Sequence, residues 1–319
     1  MKVHIFNPEN DLALASGKPG YVAPASARQM RSDLSWLPEW WADEGDVVWD
    51  GVSPLQLNPG DEIVPWGWSP ALVHQLHKAG VSNEFLPTPE QMERLRELSH
   101  RRTAVEALRQ MKSDGVAASF CCGHSVECQS MQDVENALKE HHECMLKTPW
   151  SSSGKGLMLS TAPNLEGWVN RILRQQGSVV VEQLLHKLAD FALLFQCDGK
   201  GGVEYRGISL FYTNENGAYA GNWLAHEGEK LQWLMQYVPP QPLMEIRSWW
   251  ETYLTHFDYR GPLGVDMMLC EEGICPCVEI NWRMTMGHVA QRLTEQGRTG
   301  KFKVEYVYGR YGADVEGFF

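Results

Sequence analysis

No window of this sequence approaches the roughly 18 consecutive apolar residues of a membrane-spanning helix, so no membrane span is expected. No basic start followed by an apolar stretch of about 7–15 residues is present, because Met1-Lys-Val-His-Ile-Phe opens at once as a strand. A cytoplasmic chain without a signal peptide is the expectation. No run of Lys and Arg occurs, and the net charge is −12. That balance excludes tracking of a nucleic-acid backbone, which needs clustered cations. Two CxxC-type knuckles are also missing. The eight cysteines, among them Cys121-Cys122, Cys270 and Cys275-x-Cys277, therefore read as reduced thiols and not as a zinc centre. The loop after the first strand, Asn7-Pro-Glu-Asn-Asp, has no GxGxxG, which removes the dinucleotide-binding reading. No internal repeat or low-complexity segment stands out.

What is present is an ordinary globular balance, 43% apolar and 21% charged over 319 residues, enough for two or three subdomains. Thirteen Trp are grouped in part at Trp36, Trp40, Trp41, Trp66, Trp68, Trp249 and Trp250, which suits core packing better than a ligand cage. Short strands predicted over 3–6, 46–49 and 62–64, with a helix over 70–78, make a βα pattern with a parallel sheet. Ligands collect at the carboxyl ends of such strands, so Asn7, Glu9, Asn10 and Asp11 can face a substrate, the alternative being that Asn10 or Asp11 caps the following helix. Pro87-Thr-Pro89 breaks the chain before a polar amphipathic stretch, and a first boundary is placed near residue 95. Helices are then predicted over 101–112, 131–141 and 165–175, with strands over 116–121, 144–147 and 179–182. Beyond residue 190 the period changes to two, giving strands over 191–196, 205–211 and 218–222. A helix over 242–256 precedes a last strand pair, 264–269 and 275–281.

Two segments carry chemistry. Residues 145–156 read Met-Leu-Lys-Thr-Pro-Trp-Ser-Ser-Ser-Gly-Lys-Gly. A hydrophobic strand ends in Lys147, whose ammonium can meet a phosphate as a point charge. The loop Ser151, Ser152, Ser153, Gly154, Lys155, Gly156 offers backbone N–H groups and little bulk, so it can fold over a polyphosphate. It is not a P-loop: Pro149 stands where that motif needs glycine, and Gly156 replaces the hydroxyl residue. The second segment supplies Asp266, Glu279 and Asn281 on adjacent strands, oxygen ligands suited to magnesium. Alternation puts Glu279, Asn281 and Arg283 on one face, where Arg283 can neutralise charge on a migrating phosphoryl group. His288 follows this strand at a helix start, placed either for substrate contact or for a structural role.

With the strand Val179-Val-Val-Glu182 between them, the two segments resemble the ATP-grasp superfamily over roughly residues 95–300. The resemblance implies α/β and α+β architecture: two α+β lobes gripping a nucleotide, preceded by a small parallel-sheet α/β domain. The corresponding division is 1–95, 96–183 and 184–319. It further implies that Lys147 contacts the α- and β-phosphates, and that Arg101, with Arg102 as its rival in register, lies over the phosphates. Glu182, Gln183, Leu184 and Leu185 would form the adenine hinge, and Asp190 would hold the ribose hydroxyls. The position two before the metal aspartate is Gly264, not the arginine of D-alanine ligases, while carboxylase-type and purine-type members share an arginine at the position of Arg283.

The expected function is an ATP-dependent ligase. Its cofactor is Mg-ATP, with two Mg2+ ions expected and Mn2+ as the alternative. A substrate carboxylate would be activated as an acyl phosphate and joined to an amine, releasing ADP and phosphate. Lys147, Arg101 and Arg283 would neutralise the moving charge. The rivals are a kinase on the same frame and a nucleotide-binding regulator without turnover. Partners are a small-molecule carboxylate and amine, with amino acids, short peptides or a dicarboxylate all open, and homodimerisation is common among relatives. Specificity is expected in the N-terminal domain and in residues 219–223 and 224–240.

Overall fold

The chain opens with β1 (Lys2–Ile5), α1 (Asn10–Ser16), α2 (Ala25–Asp33), β2 (Val47–Val48), β3 (Glu62–Pro65), α3 (Pro70–Lys78) and α4 (Pro89–Leu98). Next come α5 (Arg102–Ser113), β4 (Ser125–Cys128), α6 (Met131–Ala137), β5 (Cys144–Lys147), β6 (Leu157–Leu159), α7 (Leu165–Gln176) and β7 (Val179–Gln183). The antiparallel part holds β8 (Lys187–Asp198), β9 (Val203–Thr213), β10 (Tyr219–Leu224), α8 (Glu227–Leu234), α9 (Pro240–Tyr253), β11 (Arg260–Cys270) and β12 (Gly273–Asn281). α10 (Met286–Glu295), β13 (Gly300–Val307) and β14 (Arg310–Glu316) follow. The computed structural model describes residues 1–151, 156–214 and 219–317. The loop residues Ser152, Ser153, Gly154 and Lys155, and position 218 of the expected strand, lie outside them.

The chain divides into two compact units. The first comprises Met1–Leu98, Ala220–Ala225 and Trp282–Phe319. Its β1 is buried at Val3, His4 and Ile5 and pairs in parallel with β2 on one side and β3 on the other. Val3 and Ile5 give it one apolar face, while His4 on the other is satisfied by Asp46 Oδ2, 3.0 Å from its Nε2. Ser69 caps α3 by accepting from the Leu72 N–H, with Pro70 in the first turn, and Leu72 and Leu76 close onto Val3, Ile5 and Trp49. A second cluster joins Phe6, Leu34, Leu37 and Trp66 to Val289, Leu293 and Phe302, with Trp36, Trp40 and Trp41 packed against it. These tryptophans serve packing, as the composition suggested.

The second unit comprises Ser99–Tyr219 and His226–Asn281. One antiparallel sheet runs β4-β7-β5-β6 and is covered by α6 and α7, whose Val134, Trp168, Val169 and Ile172 pack on Leu146, Val179 and Val181. Its other sheet segment runs β12-β11-β8-β9, also antiparallel. α9 is anchored by fully buried Trp250, whose Nε1–H donates to the Pro276 carbonyl 3.2 Å away.

Three expectations need correction. The strand predicted over 116–121 is a series of turns: Ala117 has φ +45°, and its N–H donates to Glu245 Oε2 of α9 at 2.9 Å. A positive φ cannot continue a strand, and the real strand begins at Ser125. The helix predicted to residue 141 stops at Ala137. Finally, Ala220–Ala225 and Trp282–Phe319 cluster with the N-terminal unit, so the residues expected as one lobe from 184 to 319 are shared between two units.

Candidate active site

Strand register assembles the site in the second unit. Lys147 lies opposite Val180, and Glu182 opposite Met145, so the two charged residues are diagonal neighbours on one face of β5 and β7. Lys147 is 8% exposed, and its Nζ reaches Glu182 Oε2 at 2.5 Å. The hairpin from β5 to β6 starts there, with Lys147 opposite Leu157. It is closed by the Thr148 N–H donating to the Gly156 carbonyl at 2.9 Å. Gly156 has φ +76°, and a Cβ there would collide with Thr148 Oγ1, so the turn demands glycine.

Arg101 ties this hairpin to the acidic strands. It stands at the start of α5, 7% exposed, with Nε donating to the Thr148 carbonyl at 2.9 Å. Its Nη2 donates to Ser151 Oγ at 2.7 Å and pairs with Glu279 Oε1 at 3.0 Å. Arg102 is exposed. The buried guanidinium that spans the loop base and the acidic strand is thus Arg101.

Asp266 and Glu279 are direct cross-strand partners on β11 and β12, and Asn281 lies opposite Gly264. Asn281 Nδ2 donates to Asp266 Oδ2 at 3.0 Å, and a bulge follows Asp266. Three oxygen-bearing side chains therefore come together on one face, a donor set of the kind a hard divalent cation takes. β12 also carries the buried thiols of Cys275 and Cys277. Burial holds Cys277 well above its usual range, and the nearby charges of Cys275, Glu182 and Asp266 add to this. Burial first, then Glu182, pushes Cys275 up to about 12. Raised in this way, both are poor nucleophiles near neutrality.

The hinge residues lie where β7 leaves the sheet. Gln183 N–H donates to the His124 carbonyl at 2.8 Å and Leu184 N–H to the Glu143 carbonyl at 3.1 Å. Leu185 accepts from the Lys187 N–H at 3.0 Å, and His186 Nδ1 meets Glu272 Oε1 at 2.7 Å. That carboxylate raises the His186 pKa by hydrogen bonding. Asp190, on β8, accepts from Lys187 Nζ at 2.7 Å and from Thr213 Oγ1 at 2.9 Å.

Arg283 lies two residues past the end of β12. It belongs to the first unit, where Nε and Nη2 form a two-pronged pair with Asp11 Oδ1 and Oδ2, each at 2.7 Å. A bidentate carboxylate thus occupies the guanidinium fork. Strand alternation placed it with Asn281, but β12 ends at Asn281 and the alternation ends with it. His288 serves its helix: Nδ1 accepts from the Thr285 N–H at 3.2 Å in a capping box. Residues 7–11 likewise bind protein groups, with Asn7 Nδ2 donating to the Gly67 carbonyl at 2.8 Å and Glu9 paired to Arg31 at 2.6 Å. No side-chain cap bond starts α1, so the capping alternative offered for Asn10 and Asp11 is not realised. The sequence reading missed Thr148, which shapes the hairpin, and Arg28 and Arg31, which carry no motif.

No family model matches the sequence. A butirosin acyl-carrier protein–L-glutamate ligase from Niallia circulans is 26% identical over 194 residues, which are 55% of this chain and 42% of the relative. The aligned part thus spans about two fifths of that relative's length. Among solved structures, the biotin carboxylase domain of Hydrogenobacter thermophilus 2-oxoglutarate carboxylase matches with a TM-score of 0.53 at 12% identity, over 93% of this chain and 70% of that one. Campylobacter jejuni biotin carboxylase matches with a TM-score of 0.52 at 10% identity, over 92% and 67%. The likeness in fold runs through both units and agrees with the arrangement of β5, β7, β11 and β12: this chain carries the ATP-grasp fold.

Proposed function

We propose that this chain is an ATP-dependent carboxylate–amine ligase. One observation carries the reading: Asp266, Glu279 and Asn281 share a face, and the buried Arg101 links Glu279 to the base of the 151–156 loop. An all-oxygen set beside a buried guanidinium and the Lys147 ammonium suits a nucleotide polyphosphate with Mg2+. The Hydrogenobacter domain was solved with MgADP, ADP and bicarbonate, which supports the same ligands here. Two Mg2+ ions, with Mn2+ able to substitute, would fit between the carboxylates and the phosphates.

In this reading Lys147 releases Glu182 to meet the phosphates. Glu182 and the backbone of Gln183, Leu184 and Leu185 take the adenine, and Asp190 takes the ribose. Arg101 stabilises charge as the γ-phosphoryl group moves to a substrate carboxylate oxygen. An amine then attacks the acyl carbon, phosphate leaves, and an amide remains. Catalysis is mainly positioning and electrostatics, with no protein nucleophile. The Niallia relative is named for joining L-glutamate to an acyl-carrier protein, which supports an amino acid as one substrate. Cytoplasmic location and a homodimer belong to the same proposal. Among the described residues no helix is long and apolar enough to cross a membrane.

The test is phosphate release from Mg-ATP across paired carboxylates and amino acids, with hydroxylamine present to trap an acyl phosphate as hydroxamate. Hydroxamate formation with ADP supports the ligase. A stable phosphorylated substrate that resists hydroxylamine would identify a kinase instead.

A further inference from the structure

The first unit contains a cavity of about 500 Å³ that the nucleotide site does not use. That is within the usual size of a small-molecule pocket, about 300–1,000 Å³. It lies at the carboxyl ends of all three parallel strands: Glu9 follows β1, Trp49 and Asp50 follow β2, and Ser69 follows β3. This is where open parallel sheets bind ligands.

Charge inside the pocket is incompletely matched. Glu9 is 8% exposed and uses Oε1 for Arg31 Nη1 at 2.6 Å, while its Oε2 is buried without a partner. A buried carboxyl oxygen in that position calls for a partner. Arg31 is spent, since Nη2 donates to Gln75 Oε1 at 3.1 Å. Gly51, at φ +89°, lets that guanidinium lie close, where a Cβ would stand 3.2 Å from Nη2. Asp50 is also spent, holding Ser53 Oγ and the Val52 and Ser53 N–H groups of its own turn. Arg28 lines the same cavity, exposed and without an ion pair among the described residues. The rim is apolar: Val22 is 71% exposed and Val52 82%.

An acceptor needing a cation, a spare guanidinium and an apolar rim describe one ligand. We infer that this pocket binds an α-amino acid with a large apolar side chain: its ammonium meets Glu9 Oε2, its carboxylate meets Arg28, and its side chain covers Val22 and Val52. Tyr21 supports the arrangement from the wall. Burial first, then the Glu9 charge, raises its phenol, so it remains a neutral donor beside the carboxylate. The inference deepens the ligase reading and rests on it only for the bound amino acid becoming a substrate; the binding itself stands apart.

The experiment is calorimetric titration of the full chain with L-phenylalanine and L-leucine, with and without a non-hydrolysable Mg-ATP analogue. N-acetyl-L-phenylalanine lacks the ammonium, 2-phenylethylamine lacks the carboxylate, and L-glutamate lacks the apolar side chain. Binding of the free amino acids, with affinity about tenfold or more weaker for both truncated analogues, is the expected result. Glu9→Gln should weaken L-phenylalanine similarly. Arg28→Ala, at an exposed site that folding does not need, should do the same while leaving binding of 2-phenylethylamine unchanged. No binding at millimolar amino acid, equal binding of the N-acetyl analogue, or preference for L-glutamate would each overturn the assignment. Amino-acid binding without phosphate release would uphold the pocket and sink the ligase; phosphate release without effect of either variant would do the reverse.

Discussion

Lys147 and Glu182 meet at 2.5 Å from diagonal positions on two paired strands, both nearly sealed from solvent. Their side chains are only 10% and 15% exposed, so each charge depends on the other for solvation. In the proposed function the same two residues take opposite ends of a nucleotide. The pair is then a placeholder that ATP separates, and its loss should be felt both in the free protein and in the complex.

Removing one partner of a buried pair leaves an uncompensated charge, typically worth about 3–5 kcal/mol. Lys147→Met is expected to lower stability in urea by an amount in that range, and Lys147→Met with Glu182→Gln to recover part of it. Additive losses in the double-mutant cycle would show that the contact carries no coupling. At about 100 times its dissociation constant, Mg-ATP should stabilise the wild type by about 2.7 kcal/mol, and both variants far less.

Glu279→Gln keeps the shape of the side chain but removes a metal-ligating charge and the Arg101 partner. Magnesium-dependent turnover is expected to fall at least about a hundredfold, the scale on which single electrostatic groups act in catalysis. Circular dichroism should be unchanged. Turnover equal to wild type over a magnesium titration would remove Glu279 from the metal site. Chelation with EDTA should abolish wild-type activity, with Mg2+ restoring it.

How much of this was legible beforehand follows from where the signal lay. The strand ends at Lys147 and Glu182 and the Asp266–Asn281 pattern were readable, because period-two alternation fixes which side chains share a face. The ion-pair partner of Arg283 was not, because alternation says nothing past the last ladder residue, and Asp11 is 272 positions away in sequence. The turn at Ala117 was hidden by the small and apolar run over 116–121, which carries no Gly or Pro to break it, and an α9 carboxylate grips its backbone. The pocket at Glu9 depends on Arg28 and Arg31, which become neighbours of β1 only once α2 is placed.

Gly156→Ala should separate loop shape from loop chemistry. The substitution forces a side chain into a left-handed conformation, which costs about 1–2 kcal/mol, and drives it against Thr148. A modest loss of stability with a larger loss in nucleotide affinity is expected, read by thermal unfolding with and without Mg-ATP. Wild-type affinity in this variant would show that the hairpin end does not shape the phosphate lid.

Lys230 offers a test of the fold independent of nucleotide. On α8 it is buried, with Nζ donating to the Ile208 carbonyl of β9 at 2.9 Å, and burial lowers its pKa to about 8 despite Glu227 and Glu229. Below that value the ammonium is charged in both states, and its burial penalty is fully present. Between about 8 and the unfolded value of 10.5 the folded chain has released the proton while the unfolded chain retains it, so stability rises with pH. At about 1.4 kcal/mol per pH unit the gap is worth about 3 kcal/mol. Other groups titrate in the same range, so the measurement is the difference between the wild type and Lys230→Met by urea unfolding from pH 7 to 11. The wild type should gain on the variant through that window and then level off. Parallel curves would mean that the Ile208 carbonyl keeps the ammonium charged, and that α8 tolerates a buried cation without penalty.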